Sequence, residues 1–143
     1  MLLNYNKKVM KEFTNPKNMG EIKNPSGVGK IGNPTCGDII WVYIKVGKDK
    51  RGNEILKDIK FKTFGCAAAI ATSSMVTKLA KGKKVSYAEK INYKEIVKSL
   101  GGLPNIKIHC STMATEALNR AILDYKKKSR KGNKENKKND KKR

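Results

Sequence analysis

The chain has 143 residues, of which 33 are Lys or Arg and 12 are Asp or Glu, so its net charge is +21 and there is room for one compact domain of about 125 residues. No apolar run approaches the roughly 18 residues of a membrane span, and the opening MLLNYNKKVMKEF is interrupted by Asn and Lys, so neither a span nor a secretory leader is expected, and the expected compartment is the cytoplasm. Three cysteines, 30 and then 44 positions apart with no C-x2-C among them, exclude zinc ribbons and ferredoxin-type runs and fit reduced thiols or a metal site better than a disulfide framework.

Taken in chain order, residues 3 to 13 place Leu3, Val9, Met10 and Phe13 near one helical face, and Asn15-Pro16 stops that helix. Five glycines and two prolines make Gly20 to Gly37 a turn-rich stretch in which VGKIG can pair as a short edge strand. DIIWVYIKV then alternates Ile40, Val42, Ile44 and Val46 with Ile39, Trp41, Tyr43 and Lys45, the pattern of a well-buried strand. GKDKRGN turns the chain into a second strand, Glu54 to Phe64. Its expected inner face is Ile55, Ile59 and Phe61, with Asp58, Lys60 and Lys62 outside.

From Cys66 the small helix formers CAAAIATSSMVTKLAKG predict a helix with Ala69, Val76 and Leu79 on its rows and Gly82 as C-cap. Tyr93 to Leu100 predicts a further helix, ended by Gly101-Gly102. Ser111 to Lys127 predicts a long one, with Ala114, Ala117, Leu118, Ala121, Ile122 and Tyr125 inward and Thr115, Glu116, Asn119 and Asp124 facing water. Strands precede helices, so the class is α+β: a small, mostly antiparallel three-stranded sheet with helices on one face. Residues 126–143 carry 11 basic and 2 acidic residues and nothing apolar, so a disordered, solvated tail is expected there. That tail serves either as an electrostatic arm or as a solubilising extension; its lack of aromatic residues speaks against single-strand nucleic-acid binding.

All three cysteines fall at element ends: Cys36 before the first long strand, Cys66 at a strand-to-helix junction, and Cys110 ahead of the last helix. Such ends can converge on one edge of a small domain, where a helix N-terminus promotes thiolate character. Asp38, in CGD, and His109, the only histidine, complete a set of three thiolates, a carboxylate and an imidazole suited to zinc or to iron with sulfide. Cys/His nucleophilic catalysis is the competing chemistry. Adjacent side chains of extended backbone point apart, which disfavours a dyad of His109 with Cys110 and leaves Cys66 or Cys36 as its partner.

FTNPKNMG at 13–20, GNPTCGD at 32–38, FKTFGCAAAIATSS at 61–74, VSYAEKI at 85–91, and LPNIKIHCS followed by ATEALNRAILDY resemble, in order, the signature segments of IscU-type iron–sulfur cluster assembly scaffolds. That family also forms the N-terminal domain of NifU. The resemblance runs from about Tyr5 to Tyr125 and implies a scaffold domain over 1–125, with the tail outside it. It implies a non-enzyme that builds 2Fe-2S clusters from iron and desulfurase-derived sulfur. The implied partners are a cysteine desulfurase, a ferredoxin or other electron donor, apo acceptor proteins and a chaperone ATPase, with either one chain or a bridged homodimer holding the cluster. Cys36, Asp38, Cys66, His109 and Cys110 fall on the family's metal and cluster positions, with Asp38 and His109 both open as fourth ligand. Cys110, then Cys66, are the expected persulfide acceptors, because the helix-proximal thiolate of Cys110 lies beside the LPNIK loop, to which Gly101 and Gly102 give freedom.

The segment Leu103, Pro104, Asn105, Ile106 and Lys107 resembles the family's chaperone-recognised LPPVK motif, with Asn105 in place of its second proline. The 44-residue spacing from Cys66 to Cys110 lacks the insertion of the related SufU proteins. A zinc-binding sulfur acceptor or structural zinc protein using the same residues is the alternative.

Overall fold

The computed structural model describes residues 5–33 and 37–141. Cys36 and Leu3 lie outside the described residues. The order of elements is α1 (Lys7–Thr14), β1 (Gly27–Asn33), β2 (Asp38–Lys48), β3 (Glu54–Phe64), α2 (Ala67–Ala80), α3 (Val85–Ala88), α4 (Tyr93–Ser99) and α5 (Ile108–Lys141). The three strands form one antiparallel sheet in the order β1-β2-β3, with helices against its inner face, which is the α+β arrangement predicted from strands preceding helices.

Ile40, Val42 and Ile44 of β2 are buried as expected, but on β3 the buried residues are Leu56, Ile59 and Phe61, not Ile55. The cause is a bulge. Lys45 pairs with Asp58 and Val46 with Leu56, so Lys57 is an extra residue on β3, and a one-residue insertion reverses which side chains face the core beyond it.

The inward face of α1 also differs from expectation. Val9 and Glu12 are buried, while Met10 and Phe13 are exposed. Glu12 tolerates this position because Lys78 Nζ donates to its Oε1 at 2.6 Å and Ser74 Oγ donates to its Oε2 at 2.6 Å, both from α2. Asn6 caps α1, accepting from the Val9 N–H at 2.9 Å, and its amide donates to the Leu100 carbonyl at 2.9 Å, which ties α1 to the end of α4.

α2 is buried nearly all round, consistent with its small residues, and together with α5 it closes the core over the sheet. In α5, Ala114, Ala117, Leu118, Ala121 and Ile122 are buried as predicted. Thr115 is not in water, however: it is 7% exposed, and its hydroxyl is satisfied by the carbonyls of Ser111 at 3.1 Å and Thr112 at 2.9 Å. Asp124 is half-buried and accepts from the edge-strand N–H of Val28 at 2.9 Å. Where composition leads one to expect a disordered tail from Lys126, the backbone continues as helix to Lys141. Lys and Glu are good helix formers, and no proline interrupts them. Lys126 pairs with Glu89, and Lys128 with Asp124 at 3.0 Å, in the first turn of this extension.

Candidate metal centre

Sheet pairing and helix packing bring three element ends to one edge. The last rung of β2 and β3 pairs Ile39 with Phe64, so Asp38 and Gly65-Cys66 emerge side by side. Cys66 is the N-cap of α2 in extended conformation (φ −76°, ψ 175°), and α5 packs against α2 with His109 and Cys110 in its first turn. Gly65 makes the approach feasible. A Cβ there would lie 2.8 Å from Ala69 Cβ and 3.2 Å from both Cγ and Oδ1 of Asp38, so any larger residue would push the carboxylate aside.

The donor atoms converge. Cys66 Sγ is 3.8 Å from Cys110 Sγ and 3.9 Å from Asp38 Oδ2; Cys110 Sγ is 4.0 Å from Asp38 Oδ2 and 3.8 Å from His109 Nε2. The ligand atoms of Asp38, His109 and Cys110 all lie within 4.8 Å of one another. Two thiolates bound at about 2.3 Å to one tetrahedral ion stand about 3.8 Å apart, so the sulfur pair already has the separation that a shared metal requires. The donor set, two sulfurs with one imidazole and one carboxylate, therefore fits zinc or iron among the described residues.

The two thiols are electrostatically unlike. Cys110 donates a hydrogen bond to Cys66, and this, with the Ala69 peptide N–H and Lys107, outweighs burial and the Asp38 carboxylate to bring the Cys66 thiol down to about 5. Cys110 is pushed up, first because its proton is held in that bond, then by burial and by the negative charges of Cys66 and Asp38. For Lys107, burial opposes the charged form but is outweighed by the Cys66 thiolate, so its ammonium is held above the ordinary lysine value.

This makes a prediction for the metal-free protein. Iodoacetamide should modify Cys66 with little loss of rate between about pH 8 and about pH 6, where an ordinary thiol slows many-fold, and should leave Cys110 unmodified. Peptide mapping by mass spectrometry reads both. Preferential labelling of Cys110 would contradict the proton placement.

Two expectations change here. Cys110 does not precede the last helix but lies inside its first turn, so the rule that extended neighbours point apart does not apply to His109 and Cys110. The thiolate character expected at Cys110 falls on Cys66, because Cys110 donates a hydrogen bond to Cys66 and is itself fully buried. The segment 103–107 is divided rather than presented as one surface. Leu103 packs on the core, Asn105–Lys107 form a 3-10 turn closed by a bond from the Lys107 N–H to the Pro104 carbonyl at 2.8 Å, Ile106 is 60% exposed, and Lys107 faces Cys66. Sequence reasoning missed Gly65 and the role of Lys107 beside the thiolate. Only the position of Gly65 immediately before Cys66 hinted at the first.

The sequence profile of the NifU-like N terminal domain matches residues 4–132. The chain belongs to this IscU-type family. It is 54% identical over 125 residues to the iron-sulfur cluster assembly scaffold protein IscU 1 of Archaeoglobus fulgidus, covering 87% of this chain and 78% of that protein. It is 46% identical over 127 residues to the mitochondrial iron sulfur cluster assembly protein 2 of Saccharomyces cerevisiae, covering 87% of this chain and 79% of that one. A crystal structure of a nitrogen-fixing NifU-like protein (N-terminal) from Brucella abortus shares the fold, with a TM-score of 0.62 at 18% identity over 86% of this chain and 94% of that one. No helix among the described residues is long and apolar enough to cross a membrane.

Proposed function

We propose that this chain is a scaffold on which a 2Fe-2S cluster is assembled and from which it passes to apo acceptor proteins, rather than an enzyme turning over a small molecule. The observation that carries this reading is the convergence of Asp38, His109 and Cys110, whose ligand atoms lie within 4.8 Å of one another, with Cys66 Sγ 3.8 Å from Cys110 Sγ and 3.9 Å from Asp38 Oδ2, in a member of the IscU-type family. Cys36 completes the proposed set on the resemblance of its GNPTCGD segment.

Sulfur arrives as the outer atom of a desulfurase persulfide. A scaffold thiolate attacks it, the donor S–S bond breaks as a new one forms, and the donor leaves as a thiolate. Two electrons from a ferredoxin or similar carrier then reduce each transferred sulfur to sulfide and restore the scaffold thiolate. We assign Cys110 and then Cys66 as acceptors. Because Cys66 is the thiolate before metal enters, the proton shared across their 3.8 Å contact must pass to Cys66 before Cys110 attacks. Two thiolates grip iron firmly, while Asp38 and His109 are harder, more exchangeable ligands suited to release. The exposed Ile106 gives a chaperone ATPase a side chain to engage, on a 3-10 turn rather than the extended backbone of LPPVK. Such thiol chemistry belongs in a reducing compartment such as the cytoplasm.

Anaerobic incubation with ferrous iron, a cysteine desulfurase and cysteine should give a coloured species containing iron and acid-labile sulfide. Cys36→Ser, Cys66→Ser and Cys110→Ser should each lose it. A second reading, a zinc-binding sulfur acceptor or structural zinc protein, rests on the same sulfur separation, which suits a tetrahedral zinc as well as iron. Firm retention of one zinc with no sulfide after reconstitution would establish that reading instead.

A further inference from the structure

The sheet face opposite the helices carries three cross-strand rungs: Gly32, Ile39 and Phe64; Lys30, Trp41 and Lys62; Val28, Tyr43 and Lys60. Directly opposed residues share a face, so the only tryptophan of the chain stands between two lysines. Lys30 Nζ is 5.4 Å and Lys62 Nζ 5.8 Å from the centre of the Trp41 ring, and Phe64 meets that ring edge-on at 5.7 Å while itself 65% exposed. Lys45 extends the row along β2, its ammonium donating to the Asn24 carbonyl at 2.8 Å. The carboxylates met by this face are few: Glu21 pairs with Lys62 at 3.1 Å, and Asp58 is drawn to Lys81 at 3.6 Å.

We propose that this face docks an acidic protein partner, one presenting carboxylates around an apolar residue, beside the metal centre. An aromatic pair ringed by lysines has the anatomy of an interface anchor with a charged rim, and four lysines in a chain of net charge +21 select an acidic counterpart. A nucleic acid fits less well. Base stacking needs an open ring face, whereas Trp41 is flanked by two ammonium groups and the edge contact of Phe64. The face also leads into the metal centre: Ile39 follows Asp38, and Phe64 is separated from Cys66 by Gly65 alone. The purpose of docking there, delivery to or collection from the cluster site, rests on the scaffold reading above.

Trp41 is a built-in reporter. Metal-free full-length protein is titrated with a short Glu-rich peptide carrying a central leucine, and in parallel with oligothymidylate of equal charge, following tryptophan fluorescence at low and high salt. The peptide is expected to change the Trp41 emission, and Lys30→Glu with Lys62→Glu to weaken that response by about tenfold or more. The milder Lys30→Gln with Lys62→Gln should weaken it less. An absent response, or one that survives these substitutions, would overturn the proposal, and so would a stronger response to oligothymidylate. Reconstitution of the same variants with ferrous iron and inorganic sulfide keeps the two readings apart. A docking failure leaves cluster formation intact, whereas a failed scaffold reading leaves parent and variants equally colourless.

Discussion

Gly29→Ala is expected to destabilise the protein by about 3 kcal/mol or more and to lower its melting temperature by about 10 °C or more. A Cβ at Gly29 would lie 2.0 Å from the Ala117 carbonyl oxygen and 2.5 Å from the Ala121 nitrogen. At Gly27 it would lie 2.2 Å from the Ala121 carbonyl oxygen. These are backbone atoms of α5, so no rotamer change relieves the overlap. The helix would have to lift from β1, opening the core around Ala117, Leu118 and Ala121. Gly32→Ala is the control, because its nearest neighbour would be Ile39 Cγ1 at an ordinary 3.7 Å, and it should stay within about 0.5 kcal/mol of the parent. Thermal unfolding by circular dichroism distinguishes them. Equal melting temperatures would mean that α5 does not rest directly on the strand.

The same glycines show what the sequence can and cannot convey. VGKIG is legible as the short edge strand it forms, but glycine in a turn-rich stretch does not reveal that Gly27 and Gly29 keep that strand's inner face nearly flat to seat α5. The β2 alternation is legible because every inner position is β-branched. The β3 face is misread beyond Lys57 because a bulge carries no residue signature of its own. Glu12 defeats an apolar-face argument because its partners, Ser74 and Lys78, lie on another helix far along the chain.

At the candidate metal centre, residue types and their positions at element ends point to Cys36, Asp38, Cys66, His109 and Cys110; Cys36 lies outside the described residues, the ligand atoms of Asp38, His109 and Cys110 lie within 4.8 Å of one another, and Cys66 stands beside Asp38 and Cys110. The proton distribution between the two thiols is not legible in this way. It depends on burial and on a 3.8 Å contact between residues 44 apart, neither of which spacing encodes.

The buried pair of Glu12 and Lys78 supplies the second large expectation, and its two halves should behave unequally. Lys78→Ala should cost about 2–3 kcal/mol at neutral pH, because it leaves a carboxylate only 4% exposed with Ser74 as its one remaining side-chain donor. Glu12→Gln should cost less. The Lys78 side chain is 40% exposed, so its ammonium can turn to water, while a neutral amide still accepts from Ser74. The pH dependence follows from the sign of the shift. In the parent, burial opposes ionisation, but the hydrogen bonds from Lys78 and Ser74 outweigh it and hold Glu12 below its usual 4.5. Its stabilising contribution is therefore complete above about pH 4.5 and is lost as pH falls through the lowered value. In Lys78→Ala, burial is opposed only by the Ser74 hydrogen bond and the weaker charge of Lys11, the Glu12 value rises, and the variant regains stability relative to the parent as acid neutralises the carboxylate. Urea unfolding at neutral pH and near pH 4 should show the gap narrowing on acidification. A gap that stays constant would place the cost of the substitution in lost packing of the lysine stem rather than in the uncompensated charge.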